Sequence, residues 1–440
     1  MAENSTNGIY IPPVLAPFDV SVTPPGSKSI TNRALALAAV AGGRSVLSGV
    51  LFADDTLRMI DALHALGITA IVNEPEHRVT VEGSGGRFAD ITADIFCQNA
   101  GTAIRFLTAL CAASTGRYRL DGNARMRQRP IGELASAIST LGGHVNFEMA
   151  DGYPPLTTGG GLTGGVCRFE QVKSSQFISA ILMAGPLANA DVEVELRGAV
   201  TSEPYVRMTL EIMRRFGVRP VMLPGLTEDI RLIRIAAPAT YVGCEFAVEP
   251  DASNASYFLA AAAVTPGSRV TIPGLGRESL QGDVLFADVL RQMGAELFMD
   301  QASMQITGPK RLGGLTIDMN TIPDMVQTLA VVALFADSPT RIVNVPNLRL
   351  KETDRLAALD TELRKLGARV HTTVDSIEIY PAESYQPAAI DTYDDHRMAM
   401  AFAVAGMRIK GVRINDPQCT AKTYPAFFTD FFAAVNGRNP

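Results

Sequence analysis

Apolar and polar positions alternate along the chain in a repeating order of helices and strands. Six Ala-rich segments are apolar on nearly every face, which is typical of buried helices. The six helices are predicted to begin near Ser29, Asn99, Ser174, Ser253, Asp324 and Asp395. Each is followed by a strand, by an amphipathic helix and by two stretches of alternating hydrophobicity. The pattern therefore predicts a β-α-β-α-β-β unit that occurs six times.

A hydrophobic residue followed by glycine marks the end of the amphipathic helix in five of these units. The pairs are Leu66-Gly67, Leu141-Gly142, Phe216-Gly217, Met293-Gly294 and Leu366-Gly367. Successive pairs lie roughly 75 residues apart, a period that indicates an internal repeat. Glycine at this position favours the left-handed conformation that ends many helices.

Six units fit two domains of three, because single domains seldom exceed about 250–300 residues. We place the first domain at residues 22–245 and the second at 246–440 plus 1–21. The sixth unit lacks its closing pair of strands, and the extended N-terminal segment 9–18 is predicted to complete it. The predicted fold class is α/β, with three units around buried helices in each domain.

Composition narrows the class of protein. Charged residues make up 19% of the chain and the formal net charge is −6, which argues against a basic surface that coats nucleic acid. The sequence has no uncharged apolar segment of membrane-spanning length and no export signal, so we expect a cytoplasmic protein. The 5 cysteines form no C-x-x-C pair and fit free thiols in a reducing compartment. The histidines and cysteines form no metal-binding motif, so we expect no metal and no cofactor.

Four cations stand at or near the starts of buried helices: Lys28, Arg33, Arg105 and Arg397. A helix N-terminus carries partial positive charge, so a cation there is unfavourable by about 0.3–1 kcal/mol. Capping explains the neighbouring Ser, Asn, Thr and Asp residues, but it does not explain the cations. Helix-start amides combined with cations instead indicate an anion site, most simply for a phosphate.

Other polar segments have simpler interpretations. Ser253 and Asn254 are expected to cap the fourth buried helix. The charged segment 349–355, taken alone, favours an exposed lattice of salt bridges on a helix. His396 is expected to be an ordinary packed residue. The arginines of segment 125–130 alternate, so that in an extended chain they point to one side.

Eight segments, in this order, closely resemble the EPSP synthase (3-phosphoshikimate 1-carboxyvinyltransferase) family: PGSKSITNR, NAGTAIRFL, RMRQRP, SSQF, PDMVQTLA, NLRLKETDRL, DDHRMAM and CTAKTYP. The resemblance covers essentially the whole chain. It implies the enolpyruvyl-transferase-like fold, an inside-out α/β barrel in each of two domains. It also implies a transferase of the shikimate pathway, which makes chorismate for aromatic amino acids. The enzyme would move the enolpyruvyl group of phosphoenolpyruvate to the 5-hydroxyl of shikimate 3-phosphate, as a monomer.

The resemblance implies two sets of binding residues. For shikimate 3-phosphate they are Lys28, Ser29, Arg33, Ser174, Ser175, Gln176, Ser202, Tyr205, Asp324, Asn347 and Lys351. For phosphoenolpyruvate they are Lys28, Asn99, Gly101, Arg125, Gln176, Arg355, Arg397 and Lys422. The implied catalytic residues are Asp324, Glu352 and Lys28. We expect Glu352 to donate a proton to the methylene carbon and Asp324 to accept the hydroxyl proton. Because both domains contribute, we also expect the domains to close on the substrates.

Two positions depart from the family pattern, and two other functions compete with this one. Gln98 stands where the family usually has Gly, and Phe106 stands where Pro or Leu is expected. A UDP-N-acetylglucosamine enolpyruvyl transferase would have the same fold, but it carries a catalytic Cys that the segment DGNARMRQRP lacks. A non-catalytic, clamp-like repeat protein would leave the cations at the helix starts unexplained.

Overall fold

Residues 8–224 and 230–440 are described by a computed structural model. Contacts divide the chain into two compact units. We call Gly26–Glu249 the middle unit, and we call Pro250–Pro440 with the segment that ends at Pro25 the outer unit. These changeover points lie a few residues from the boundaries placed on the sequence, and the assignment of domains stays a prediction.

Helices alternate between buried and amphipathic along each unit. The middle unit contains α1 (Lys28–Val40), α2 (Asp54–Ala65), α3 (Gly101–Ala112), α4 (Gly132–Thr140), α5 (Ser175–Ala184) and α6 (Glu203–Arg215). The outer unit contains α7 (Ala252–Ala263), α8 (Phe286–Gln292), α9 (Val326–Val332), α10 (Arg355–Lys365), α11 (His396–Arg408) and α12 (Phe427–Val435). The odd-numbered helices are buried along nearly their whole length, which confirms the prediction made from their all-round apolarity.

The strands are short and evenly distributed. The first twelve are β1 (Ile9–Tyr10), β2 (Asp19–Ser21), β3 (Gly42–Ser48), β4 (Thr69–Asn73), β5 (Arg78–Ser84), β6 (Thr92–Phe96), β7 (Arg117–Asp121), β8 (His144–Phe147), β9 (Leu156–Gly159), β10 (Gly165–Glu170), β11 (Val192–Arg197) and β12 (Val221–Pro224). The others are β13 (Ile230–Ile235), β14 (Glu245–Ala247), β15 (Arg269–Pro273), β16 (Glu296–Met299), β17 (Ser303–Thr307), β18 (Thr316–Asp318), β19 (Thr340–Val343), β20 (Arg369–Thr372), β21 (Ile377–Tyr380), β22 (Ala389–Ile390) and β23 (Arg413–Ile414).

Each unit holds three sheets, and five of the six sheets described share one four-stranded topology. The strand orders are β14-β3-β5-β4, β6-β7-β9-β8 and β10-β11-β13-β12 in the middle unit, and β2-β15-β17-β16, β18-β19-β21-β20 and β22-β23-β1 in the outer unit. In every sheet the first pair is parallel and the other pairs are antiparallel. A parallel pair needs a crossover, and in four sheets an odd-numbered helix supplies it. The predicted β-α-β-α-β-β unit is therefore confirmed.

In the two remaining four-stranded sheets the first strand comes from elsewhere in the sequence. Strand β2 precedes α1 but pairs with β15, whereas β14 precedes α7 but pairs with β3. The N-terminal strand β1 pairs with β23 of the sixth repeat, Ile9 lying opposite Ile414. Buried helices form the centre of each unit: α3 packs against α1 and α5, and α7, α9 and α11 pack against one another.

All six amphipathic helices end in the same pair of hydrogen bonds. The N–H of a glycine bonds to the carbonyl three residues back, and the next N–H bonds to the carbonyl five residues back. These glycines, all at positive φ, are Gly67, Gly142, Gly217, Gly294, Gly367 and Gly437. The sequence pattern missed Gly437 because the polar Asn436, not a hydrophobic residue, precedes it. None of the helices that the structure describes is both long and apolar enough to cross a membrane.

Candidate active site

Charged side chains from four segments of the outer unit come together in what we call the outer cluster. Its members are Asp324, Lys351, Glu352, Arg355, Asp395, Arg397 and Lys422. Asp324 lies in the 3-10 turn Pro323–Met325 just before α9, and Asp395 is the N-cap of α11. The chain therefore brings several helix starts to one place in the unit.

Arg355, the first residue of α10, lies at the centre of the outer cluster. Its Nε is 2.7 Å from Asp395 Oδ2, its Nη1 is 2.9 Å from Asp324 Oδ1 and its Nη2 is 2.9 Å from Glu352 Oε2. The side chain is only 1% exposed. Burial would lower the pKa of Arg355, but its three carboxylate neighbours raise it above the ordinary value. The interpretation of segment 349–355 as an exposed lattice is therefore wrong for Glu352 and Arg355.

The neighbours of Asp324 favour its ionised form. Lys351 Nζ lies 3.3 Å from Oδ1, and Arg397 Nη2 lies 3.1 Å from Oδ2. Burial would raise the pKa of Asp324, but the surrounding cations, chiefly Arg397, hold it well below its ordinary value. Burial also lowers the pKa of Lys351, and the attraction of Asp324 only partly opposes this effect.

Glu352 bridges two cations in the same cluster. Its Oε2 accepts from Arg355, and its Oε1 lies 3.6 Å from Lys422 Nζ. Lys422 ends the 3-10 turn Pro417–Lys422, and both side chains are at most a tenth exposed. An ammonium and a carboxylate are both groups that can serve in general acid–base catalysis.

Arg397 is the second residue of α11, where its charge opposes the helix dipole. Its own N–H bonds to Asp395 Oδ1 at 2.9 Å, and its Nη2 donates to Ser253 Oγ at 3.2 Å as well as to Asp324. Its other terminal nitrogen lies 3.5 Å from the Tyr257 hydroxyl. These partners orient the guanidinium.

The expectation that Ser253 and Asn254 cap α7 is wrong. Asp251 is the cap, accepting the Asn254 N–H at 2.9 Å. The Ser253 hydroxyl instead donates to Asp283 and accepts from Arg397, and Asn254 Nδ2 donates to the Thr423 carbonyl at 3.2 Å. The segment D-A-S-N offers three capping side chains, so the sequence alone does not single out one of them.

The middle unit gathers other predicted residues at the starts of its buried helices. Lys28 begins α1, and its Nζ lies 3.3 Å from Oδ2 of Asp55. Ser174 caps α5, accepting the Gln176 N–H at 3.3 Å. Gln176 Oε1 accepts from Arg105 Nη1 at 2.5 Å, so the starts of α3 and α5 are joined.

Arg129, which the sequence analysis did not select, is the arginine that the structure brings to Asn99. Its Nη1 donates to the carbonyl and to Oδ1 of Asn99, both at 3.0 Å, and the side chain is buried. A Cβ at Gly101 would lie 2.5 Å from Arg129 Nη2, so this glycine leaves room for the guanidinium. Arg125 instead lies 3.2 Å from Gln128 Oε1 in its own turn. A sequence signal existed, since of the three alternating arginines only Arg129 precedes the proline.

Arg33 lies in the core between helices. Its Nε donates to Thr209 Oγ1 at 2.7 Å, its Nη1 donates to the Ser29 carbonyl at 2.9 Å, and its Nη2 donates to Ser179 Oγ at 3.2 Å. The Phe106 ring packs 5.0 Å from the guanidinium carbon, so this departure from the family pattern contacts a predicted site residue. Burial lowers the pKa of Arg33 to about 10.

The remaining predicted residues lie at helix starts and turns. Ser175 begins α5, and Ser202 precedes α6 at a positive φ of 58°. The Tyr205 carbonyl accepts from Arg33 Nη2 at 3.3 Å. Asn347 is buried, and its Oδ1 has no hydrogen-bond partner among the described residues. Across residues 8–224 and 230–440, no group of three or more His, Cys, Asp or Glu side chains could hold a metal ion.

Comparison with known proteins places the chain in a family. The family model described as EPSP synthase (3-phosphoshikimate 1-carboxyvinyltransferase) matches residues 15–431. The chain belongs to this family. The resemblance inferred from eight motifs is thereby confirmed.

Individual members of the EPSP synthase family match over nearly full length. The 3-phosphoshikimate 1-carboxyvinyltransferase of Trichormus variabilis is 45% identical over 428 residues, 97% of this chain and 99% of the relative. That of Pseudoalteromonas translucida is 46% identical over 411 residues, 93% of this chain and 95% of the relative. The solved structure of EPSP synthase from Acinetobacter baumannii aligns with a TM-score of 0.79 at 25% identity and covers 98% of both chains. The predicted α/β fold class is confirmed.

Proposed function

We propose that the chain transfers the enolpyruvyl group of phosphoenolpyruvate to the 5-hydroxyl of shikimate 3-phosphate and releases phosphate. The observation that supports this most strongly is the outer cluster, in which four cations surround Asp324 and Glu352. Both substrates carry several negative charges, so they need such cations. The reaction moves protons to and from carbon and oxygen, so it also needs positioned carboxyl or ammonium groups.

For shikimate 3-phosphate we propose the residues expected from the sequence: Lys28, Ser29, Arg33, Ser174, Ser175, Gln176, Ser202, Tyr205, Asp324, Asn347 and Lys351. The amides and hydroxyls at the start of α5 suit a phosphate. The unpartnered Oδ1 of the buried Asn347 suits a substrate hydroxyl, which would satisfy it. Arg33 uses four of its five N–H donors within the protein, which leaves one donor on Nη1 for the substrate.

For phosphoenolpyruvate we propose Arg129 together with the residues expected from the sequence: Lys28, Asn99, Gly101, Arg125, Gln176, Arg355, Arg397 and Lys422. Arginine forks suit the planar carboxylate and the phosphate, and the lysines supply point charges. Arg129 joins the set because it donates to the carbonyl and to Oδ1 of Asn99 and packs against Gly101.

The proposed chemistry proceeds by addition and elimination. The 5-hydroxyl oxygen bonds to the central carbon of phosphoenolpyruvate, its proton passes to Asp324, and Glu352 supplies a proton to the methylene carbon. The methyl group then returns a proton to Glu352 as the carbon–oxygen bond to phosphate breaks, and the leaving phosphate takes the proton held by Asp324. Substrate anions that pair with Arg397 and Lys351 would weaken their hold on Asp324, so its pKa would rise towards that of a useful base. Lys28 is proposed to stabilise the charge on the reacting groups.

Phosphate release tests this function. The purified protein mixed with shikimate 3-phosphate and phosphoenolpyruvate should release inorganic phosphate, and the same assay with UDP-N-acetylglucosamine as acceptor should not. Silence with shikimate 3-phosphate and turnover with the nucleotide sugar would contradict the proposal.

We further propose that the protein acts as a monomer with small molecules as its ligands, and that nucleic acid is not a ligand. The net charge of −6 supports the last point. Light scattering should give a single species near the chain mass of 46.9 kDa, whereas a species of twice that mass would contradict the monomer.

A further inference from the structure

A second polar network lies on the same face of α10 as Arg355, two turns further along the helix. Glu362 is fully buried, and its Oε1 accepts the Tyr393 hydroxyl at 2.6 Å. Its Oε2 accepts the Asp391 N–H at 3.1 Å and lies 2.8 Å from Lys365 Nζ. Residues seven apart share a helix face, so Arg355 and Glu362 both point at the segment that leads into α11.

Helix α10 therefore holds the segment 391–395 at both of its ends. At the far end, Lys365 Nζ lies 2.7 Å from Asp391 Oδ2, and Asn415 Nδ2 donates to Asp391 Oδ1 at 2.7 Å. At the near end, Asp395 binds Arg355. These two attachments fix where Asp395 lies.

Between these two attachments the backbone is strained. Tyr393 and Asp394 have φ of 56° and 55°, two consecutive left-handed residues that carry side chains. Such a conformation persists only where the surroundings enforce it, and it is most often found at functional sites. Tyr393 is 40% exposed, so packing of its ring does not fully hold it. The bond from its hydroxyl to Glu362 supplies a specific restraint.

The position of Asp395 matters because its carboxylate has two tasks. It accepts the Arg397 N–H, which starts α11, and it binds the guanidinium of Arg355. If Tyr393 and Asp394 relaxed, Asp395 would move, and both arginines would lose their alignment. Burial and the bond to Glu362 raise the pKa of Tyr393 to about 12, so its hydroxyl remains a donor at neutral pH.

We propose that Glu362 and Tyr393 are positioning residues that hold the strained segment 391–395 and so align Arg355 and Arg397 for phosphoenolpyruvate. The identity of this ligand rests on the proposed function. The residues do not themselves touch the ligand. Removal of either side chain should therefore weaken the binding of phosphoenolpyruvate more than the binding of shikimate 3-phosphate.

The test compares Tyr393→Phe with Tyr385→Phe. Tyr385 is a matched control because it is a partly buried tyrosine of the same unit whose hydroxyl donates to the Leu334 carbonyl and accepts the Ala382 N–H. Steady-state kinetics should show a KM for phosphoenolpyruvate raised roughly tenfold in Tyr393→Phe, the scale of a small misplacement of binding groups. Its kcat, and its affinity for shikimate 3-phosphate alone, should stay within about twofold of wild type, as should every constant of Tyr385→Phe.

A second variant guards against misfolding. Glu362→Gln keeps the shape of the side chain and should raise the same KM. The effects of the two changes should be less than additive in the double variant, because both weaken the contact between the Tyr393 hydroxyl and Glu362. A KM for Tyr393→Phe equal to that of Tyr385→Phe, or strictly additive effects in the double variant, would overturn the proposal.

Hydrogen exchange separates this proposal from the proposed function. In Tyr393→Phe the amide of Arg397 should exchange faster than in wild type and in Tyr385→Phe, whatever the substrate. If the wild-type protein does not turn over these substrates but the Arg397 amide exchanges faster in Tyr393→Phe, the proposed function is contradicted and the positioning role is supported. Normal turnover by Tyr393→Phe, with unchanged hydrogen exchange at Arg397 and an unchanged KM, would contradict the positioning role and leave the proposed function intact.

Discussion

The two units each hold a fully buried arginine, and the two arginines have opposite electrostatic settings. Arg33 and Arg355 are both 1% exposed. Arg355 faces three carboxylates, and its pKa is raised, whereas Arg33 faces hydroxyls, backbone carbonyls and an aromatic ring, and burial lowers its pKa to about 10. No acidic side chain among the described residues forms an ion pair with Arg33.

The difference shows that the partners of a buried charge, more than its depth, decide what the charge does. Arg355 is the common counter-ion of carboxylates that would be costly to bury without it. Arg33 is the counter-ion of no carboxylate among the described residues. It joins α1, α5 and α6 by hydrogen bonds to neutral groups. Loss of Arg355 should therefore cost more stability than loss of Arg33, which removes only neutral contacts within the protein.

The largest effect is expected for Arg355→Met. The substitution leaves three carboxylates without their shared cation, so the free energy of unfolding should fall by about 3–5 kcal/mol. Urea denaturation measures this, with Arg291→Met as control, because Arg291 forms an exposed pair with Asp288. Exposed pairs contribute about 0–1 kcal/mol. A loss for Arg355→Met no larger than that of the control would contradict the central role of Arg355.

A smaller, pH-dependent effect is expected for Asp324→Asn. The pKa of Asp324 is lower in the folded protein than in the unfolded chain, where it is about 3.9. The carboxylate therefore stabilises the fold above about pH 4, and this contribution is lost as the pH falls further. The stability difference between wild type and Asp324→Asn should shrink from about pH 5 to pH 3. A difference that stays constant over this range would show that the charge of Asp324 is not stabilised by its neighbours.

Arg33→Met should cost less than Arg355→Met, about 1–3 kcal/mol, because it leaves only neutral acceptors unsatisfied. The same urea titrations measure the cost. Equal losses for the two variants would break the comparison between the arginines, since the carboxylates around Arg355 would then add nothing.

A third buried arginine, Arg129, extends the comparison from stability to the binding of phosphoenolpyruvate. Arg129 holds the neutral Asn99, so Arg129→Lys should leave stability nearly unchanged but raise the KM for phosphoenolpyruvate roughly tenfold, about 1.4 kcal/mol. Arg127→Lys is the matched control from the same segment, because Arg127 pairs with Asp121, and it should change KM less than about twofold. An effect at Arg127 as large as that at Arg129 would contradict a binding role for Arg129.

Local pattern predicted the repeat well, because helix burial and glycine C-caps depend on residues close together in the chain. The exchange of β2 and β14 between sheets was not visible, since strand pairing is decided by residues hundreds of positions apart. Five of the six C-caps followed from the hydrophobic-glycine pattern, and Asn436-Gly437 escaped it because the motif tolerates a polar residue before the glycine.

Side-chain partners were harder to predict than elements. The motifs predicted most members of the outer cluster as site residues. They did not show that Arg355 contacts three carboxylates while Arg33 contacts none. Arg125 and Arg129 are equivalent in an alternating pattern, and only the contact with Asn99 separates them. The sequence predicts a cap at Ser253 because nothing nearby in the chain points to its partner Arg397, which lies 144 positions away.

The most direct measurement is exchange of solvent deuterium into the methylene group of phosphoenolpyruvate, in the presence of shikimate 3-phosphate. Glu352, held between Arg355 and Lys422, is the proposed proton donor to that carbon. Wild type should exchange the methylene protons, and Glu352→Gln should do so about 10²–10⁴-fold more slowly while still binding phosphoenolpyruvate. Exchange at the wild-type rate in Glu352→Gln would contradict the assignment of this chemistry to the outer cluster.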